Sequence, residues 1–256
     1  MEDTAALIEV DASNVAQHGF FCYKSKKKAP GYQHKLEWLQ ARFAEGLKIK
    51  LIYEGKRSVG FIEYIPGEFA WRVVDAPNYL VIHCLWVVGS GKGKGYGTRL
   101  IEACIDDARE SGKDGVAVVT SSGVWLAHQD IFLRSGFMLQ DEAPPSFQLM
   151  VRSFDGSPRL SFPTNWEERS ARFGRGVTVV YTAQCPYIQD AVDYAVNGCR
   201  DAGLDAHVVE LHTREDVREQ APAANGIFGI VHDGKLLSYH YLLPKDFAQR
   251  LEQMSG

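Results

Sequence analysis

Apolar positions along the chain follow two rhythms. Runs rich in β-branched and aromatic residues predict strands at Ala5 to Val10, Ile49 to Tyr53, Ser58 to Ile65, Phe69 to Val74, Tyr79 to Val88, Gly115 to Thr120 and Phe147 to Phe154. Helical spacing appears in Leu36, Leu39, Phe43 and Leu47 within His34 to Leu47, and again in Leu100, Ile101, Cys104, Ile105 and Ala108. Turn residues punctuate these runs: Asp11-Ala12-Ser13-Asn14 after the first strand, Glu54-Gly55-Lys56 inside a hairpin, and Pro66-Gly67 and Asp75-Ala76-Pro77-Asn78 on either side of the third short strand.

The rhythm breaks at Asp155-Gly156-Ser157-Pro158 and Phe162-Pro163-Thr164-Asn165, with a helical stretch at Trp166 to Arg172, and then restarts. The second series reads strand Gly176 to Thr182, helix Tyr187 to Ala202 with Ile188, Ala191, Val192, Ala195, Cys199 and Ala202 inward, and strand Ala206 to Leu211. A polar helix Arg214 to Gln220 follows. Gly226 to His232 and Lys235 to Tyr241 then form a hairpin closed by Asp233-Gly234, before a last helix at Pro244 to Gln253 carrying Phe247 and Leu251. The pattern implies an α/β protein of two domains, residues 1–154 and 175–256, joined by a linker at 155–174.

Composition narrows the function. The chain has 256 residues, 45% hydrophobic and 23% charged, which suits a globular protein able to bury a core. A formal charge of -4 and a pI near 6.1 argue against a general nucleic-acid binder. Cys22, Cys84, Cys104, Cys185 and Cys199 form neither a paired Cys-x-x-Cys nor a metal-ligand spacing, so no metal site is expected and a reducing compartment is implied. With no signal-like start and no apolar run of membrane-spanning length, the expected setting is cytoplasmic. The basic stretch Tyr23 to Gly31 reads either as a solvated loop or as a mobile substrate-side loop that draws in anions.

Chemistry concentrates between the Tyr79 run and the helix after it. There Gly91, Gly93, Gly95 and Gly97 take every second position, with Lys92 and Lys94 between them. Glycine lets backbone N–H groups approach a ligand with no Cβ in the way, and a helix N-terminus adds a positive dipole end, so the turn predicts a site for a pyrophosphate. It lacks the Gly-Lys-Ser/Thr closure of a nucleotide P-loop. It also lacks the third glycine of a dinucleotide fingerprint, because Tyr96 stands there.

Leu85-Trp86-Val87 followed by Lys92-Gly93-Lys94-Gly95-Tyr96-Gly97 resembles the acyl-CoA site of the Gcn5-related N-acetyltransferases (GNAT), which carry Arg/Gln-x-x-Gly-x-Gly/Ala after a strand ending Leu-x-Val. Over roughly residues 5 to 152 the resemblance implies a mixed sheet flanked by helices that binds acetyl-CoA or another acyl-CoA. Lys92, Gly93, Lys94, Gly95, Tyr96, Gly97 and Thr98 would hold the diphosphate. Trp86 and Val87 would hold the pantetheine arm and the thioester carbonyl where the strand splays from its neighbour. Lys92 replaces the family's Arg or Gln, keeping a cation without the planar fork.

Acyl transfer to an amine needs a proton acceptor near the nucleophile. His83, on the central strand, titrates nearest neutral pH, and Glu63 is the second candidate. A hydrogen-bonded core histidine and an exposed carboxylate are the competing readings. In Phe132-Leu133-Arg134-Ser135-Gly136-Phe137 the family commonly has a tyrosine where this chain has Phe132, so the usual proton donor to the departing thiolate is missing.

The second domain's order β-α-β-α-β-β-α resembles the thioredoxin fold. Cys185-Pro186-Tyr187-Ile188 looks like a glutaredoxin Cys-Pro-Tyr-Cys without its second cysteine, which makes Cys185 the candidate reactive thiol. Pro222 stands near the place of that fold's cis-proline. The pairing of the two halves resembles acetyltransferases bearing a YoaP-like C-terminal domain. The expected function is N-acetyl transfer from acetyl-CoA to a small-molecule or peptide amine. The alternative is a CoA-binding sensor, or a thiol-linked protein acting through Cys185.

Overall fold

The computed structural model describes residues 5–123, 126–154 and 156–255; Asp155 of the expected linker and the side chain of Leu251 lie outside the described residues. The chain forms two compact units. The first draws on Met1–Ser25, Leu39–Ala70 and Asp75–Phe162, the second on Lys26–Trp38, Trp71–Val74 and Pro163–Gly256.

The N-terminal elements are β1 (Ala5–Val10), a short helix α1 (Val15–His18), α2 (Pro30–Phe43), β2 (Lys48–Glu54), β3 (Arg57–Pro66), β4 (Tyr79–Val87), α3 (Tyr96–Glu110), β5 (Gly115–Ser121), α4 (Gln129–Arg134), β6 (Met138–Ala143) and β7 (Phe147–Ser153). Their seven strands make one mixed sheet in the order β1-β2-β3-β4-β5-β7-β6. β1 to β4 form an antiparallel meander, α3 crosses over to a parallel β5, and β7 and β6 continue antiparallel.

Leu100, Ile101, Cys104, Ile105 and Ala108 of α3 are buried against Ile62, Leu80, Ile82, Leu85, Val116 and Val118 of the sheet, as their spacing predicts. Full burial of one Leu or Ile contributes about 1.5–3 kcal/mol, so this stripe anchors the helix. Under its C-terminal half, Asp107 accepts hydrogen bonds from Lys50 Nζ at 2.7 Å, Lys48 Nζ at 2.9 Å and Tyr64 Oη at 2.5 Å. Burial pushes the Asp107 carboxyl up, but the bonds from Lys50, Tyr64 and Lys48 outweigh it and the net shift is downward. The Tyr64 phenol is pushed far above its ordinary range, first by burial and then by Cys104 and Asp107.

The strand expected at Phe69 to Val74 is absent. Gly67–Phe69 is a 3-10 turn and the residues after it form bends. Trp71, Val73 and Val74 are apolar because they are buried in the second unit, where the Val73 N–H donates to Ala224 O at 3.3 Å. β6 lies outside the strand pattern of the sequence, because Met-Leu-Gln-Asp-Glu-Ala is an edge strand with little buried face. The helix expected from His34 begins instead at Pro30, since proline suits the first helical position, where no N–H is needed. Lys24, in the basic stretch, contacts Ser58 and lies over the rings of Phe21 and Tyr53, while Lys26, Lys27 and Lys28 are exposed.

The second unit carries α5 (Trp166–Ala171), β8 (Val177–Tyr181), α6 (Ile188–Asp201), β9 (Ala206–Glu210), α7 (Arg214–Gln220), β10 (Phe228–His232), β11 (Lys235–Ser238) and α8 (Pro244–Ser255). From β8 onward this is the order read from the sequence. The strands form a separate sheet ordered β11-β10-β8-β9, with β8 and β9 parallel and the other pairs antiparallel. Asp233 and Gly234 both adopt left-handed φ, which fits a two-residue hairpin turn. The α6 stripe is buried except Ala202, which lies past the last helical residue and is exposed. Thr213 caps α7 in a reciprocal pair with Asp216.

Candidate functional site

The site is prepared by a fault in the sheet. Glu63 pairs with Cys84 while Tyr64 pairs with Ile82, so His83 is the extra residue of a β-bulge in β4. Leu80 and Ile82 before the bulge, and Leu85 after it, all belong to the core under α3. The bulge therefore shifts the strand's phase by one residue and turns Cys84 and Trp86 outward, Trp86 to 48% exposure. The parallel ladder with β5 ends at Ile82–Val118, yet β4 continues to Val87.

Past that point the ladder among the described residues runs on the β3 side. The Val88 N–H is given to Val59 O at 2.9 Å, and successive N–H groups of a strand point to opposite sides. The Val87 and Leu85 N–H groups thus point away from β3, toward the side that β5 has left.

Beyond β4 the backbone makes a 3-10 turn over Gly89–Gly91 and reaches the glycine turn. Gly93 and Gly95 have φ of +77° and +79°, which side-chain-bearing residues rarely adopt, and no described residue lies within 4 Å of where their Cβ atoms would be. Gly97 is needed for a different reason. A Cβ there would come within 2.5 Å of Ile131 Cδ1, so glycine lets α4 close on the first turn of α3.

The first α3 backbone bond runs from the Arg99 N–H to Gly95 O. The N–H groups of Tyr96, Gly97 and Thr98 have no carbonyl within the helix to reach. Gly95, the N-cap residue, offers no side chain to cap them, and the first turn holds no acidic residue. Space left open by the described residues and a helix dipole equivalent to about half a positive charge meet here, a fit for an anionic ligand. Lys92 Nζ lies 5.8 Å from the Trp86 ring centroid. Lys94 turns aside to Glu54, a partner the sequence did not announce.

Glu63 and His83 are brought together. The nearest Glu63 Oε1 to His83 Nδ1 distance is 3.6 Å, and both residues are buried, at 3% and 5% exposure. Glu63 is thus not on an outer face of the hairpin. Phe132 is fully buried edge-on to Phe137, with ring centroids 5.4 Å apart, so this position supplies core packing. In the second unit Cys185 is partly buried at the edge of the core and its carbonyl accepts from the Ile188 N–H at 3.1 Å. The one cis peptide bond among the described residues joins Pro144 and Pro145, so Pro222 is not a cis-proline. No described helix is long and apolar enough to cross a membrane.

The chain is similar to known proteins over much of its length. Residues 8–128 match the model of the acetyltransferase (GNAT) family. Over 255 residues the chain is 32% identical to the uncharacterized N-acetyltransferase YoaP of Bacillus subtilis, covering 97% of this chain and 99% of that protein. It is also 32% identical over 99 residues to the L-methionine sulfoximine/L-methionine sulfone acetyltransferase of Salmonella typhimurium, covering 37% of this chain and 56% of the relative. Among solved structures, the PaiA N-acetyltransferase of Thermoplasma acidophilum with coenzyme A overlaps 59% of this chain and 99% of its own, at a TM-score of 0.43 and 12% identity.

Proposed function

Because the chain belongs to the GNAT family of acetyltransferases, we propose that it transfers an acetyl group from acetyl-CoA to an amine by direct attack. The observation that carries this reading is the acid-free N-terminus of α3, whose N-cap Gly95 brings no side chain, beneath the turn at Gly93 and Gly95. Bound acetyl-CoA supplies an activated acyl group on a thiol leaving group. The amides of residues 93–98 hold its diphosphate, with Lys92 adding charge. The Val87 N–H polarises the thioester carbonyl, where a developing oxyanion gains most from a fixed donor. Trp86, exposed beside the splay, packs along the pantetheine arm.

The Glu63–His83 pair takes the proton from the incoming ammonium, directly or through a water. With Phe132 in the core, the departing thiolate has no tyrosine at that position. A thiol leaves readily near neutral pH, so transfer proceeds without one. The Salmonella relative is named for L-methionine sulfoximine and L-methionine sulfone, which makes these two the first acceptors to offer.

The test is a calorimetric titration of acetyl-CoA into the protein and its Gly95→Asp variant, followed by thiol release over an amine panel. Aspartate enters the left-handed conformation more readily than most residues, at a strain cost on the order of 1–2 kcal/mol, and a melting curve checks that the variant stays folded. Its carboxylate would stand where the diphosphate binds. Two like charges 4 Å apart repel by about 4 kcal/mol at an effective dielectric of 20, so affinity should fall on the order of 100-fold or more. Equal affinity in both proteins would remove the ligand from this turn, and binding without sustained thiol release would favour the sensor reading, to which the loss of a proton donor at Phe132 lends support.

A further inference from the structure

Glu54 closes β2 and has no place in the motif. Its Oε1 accepts two hydrogen bonds from the glycine turn, from Lys94 Nζ at 2.6 Å and from Tyr96 Oη at 2.7 Å. Tyr96 is 8% exposed and belongs to the core under α3. Its ring lies 3.3 Å from where a Gly91 Cβ would be. One carboxylate oxygen on a strand end therefore grips the residues on both sides of Gly95. Glycine leaves the backbone free at that point; the grip on its two neighbours takes the freedom away.

We propose that Glu54 is a positioning residue for the cofactor turn, presetting the amides of residues 93–98 by holding Lys94 and Tyr96. The proposal rests on the acyl-CoA reading above. Glu54 touches none of the reacting atoms and acts only through the turn. Lys94 contributes its backbone amide, while its side-chain charge is spent on Glu54 and Lys92 remains the turn's cation. Fixing a binding loop in its bound shape lowers the ordering cost of association, so the effect falls on affinity rather than on chemistry.

The test measures coenzyme A binding by calorimetry for Glu54→Ala, Glu54→Gln, Lys94→Ala/Tyr96→Phe and the triple variant, with melting temperatures alongside. Glu54→Ala should raise the Kd about five- to tenfold, a loss of preorganisation, with saturated turnover unchanged. Glu54→Gln keeps an oxygen that can accept from Tyr96 and should recover most of the affinity. Adding Glu54→Ala to Lys94→Ala/Tyr96→Phe should cost nothing more, because the grip is already gone. An additive loss in the triple variant, or an unchanged Kd in Glu54→Ala, overturns the proposal. If Glu54→Ala fails to fold, Glu54→Gln/Lys94→Met and Tyr96→Phe carry the same test at nearly constant volume. Failure of the unaltered protein to bind coenzyme A overturns the parent reading and this one together, whereas binding that ignores Glu54 overturns this one alone.

Discussion

Two strand-to-helix junctions, β4 to α3 and β8 to α6, begin from the same plan and end differently. Each joins a buried apolar strand to a helix with a buried stripe: Leu100, Ile101, Cys104, Ile105 and Ala108 in one, Ile188, Ala191, Val192, Ala195 and Cys199 in the other. In the first, Gly93 and Gly95 bend the chain through left-handed conformations into open space, and no acidic residue enters the first helical turn. In the second, none of residues 182–187 has positive φ, and Asp190 lies in the first turn. Protein fills that junction. Buried Gln184 bonds Arg72, Thr182 and the Gly226 carbonyl, and the Pro186 carbonyl oxygen sits 2.2 Å from where a Gly31 Cβ would be. A helix N-terminus is common property; a ligand site needs it left uncovered.

The largest expected effect breaks the first junction alone. Gly95→Asp should lose acetyl-CoA binding on the order of 100-fold by charge repulsion, while Gln184→Ala in the other junction should leave that Kd unchanged. Calorimetry on both variants decides it, and a matched loss in the two would erase the contrast.

Next comes the packing of the second junction. Exposed helix positions usually gain about 0.5–1 kcal/mol when Gly becomes Ala. At Gly31, in the first turn of α2, the added methyl meets a backbone oxygen that cannot rotate away. Gly31→Ala should therefore reverse sign and cost about 1–3 kcal/mol, the usual range for overpacking. Urea melts would show this, and a stabilised variant would mean that the Pro186 turn yields freely.

How much of this was legible follows from what each feature depends on. The α3 and α6 stripes were readable because helical periodicity is local and both helices bury one face. The glycine turn was readable because left-handed backbone and open amides need glycine at fixed offsets. Trp71, Val73 and Val74 misled because buried apolar residues in a bend look like strand residues. β6 hid because an exposed edge with Met138 and Leu139 outward carries no alternation. The bulge at His83 depends on register with β3, and Glu54 reaches Lys94 across 40 positions and Tyr96 across 42, so neither leaves a mark in any window of the chain.

A smaller effect concerns what holds α3 at its far end. The Asp107 carboxyl sits below its ordinary range because bonds from Lys50, Tyr64 and Lys48 outweigh the upward push of burial. A carboxylate depressed in the folded state adds stability above its unfolded pKa of about 3.9 and loses it as the pH falls through the lower folded value. Asp107→Asn should cost about 1–2 kcal/mol at neutral pH through lost charged hydrogen bonds. Its melting temperature should also fall less steeply than the parent's below about pH 4. Parallel acid profiles would show that the network contributes nothing that titrates.

The smallest effect belongs to Cys185. A thiolate at a helix N-terminus gains from the dipole, yet here Asp190 occupies the first turn and places negative charge at the same end. Position 188, where a second cysteine would close a disulfide, holds Ile188 at 2% exposure in the core. Cys185 itself packs partly buried against that core. Cys185→Ser should therefore change stability by no more than about 1 kcal/mol, the loss of a small hydrophobe, and leave acetyl transfer as it was. Iodoacetamide labelling followed by mass spectrometry gives the sharper reading, because exposed Cys84 serves as an internal reference. Cys84 should label first. Faster labelling at Cys185 would mean that the filled junction still activates its thiol, and the two helix N-termini would then differ in ligand rather than in use.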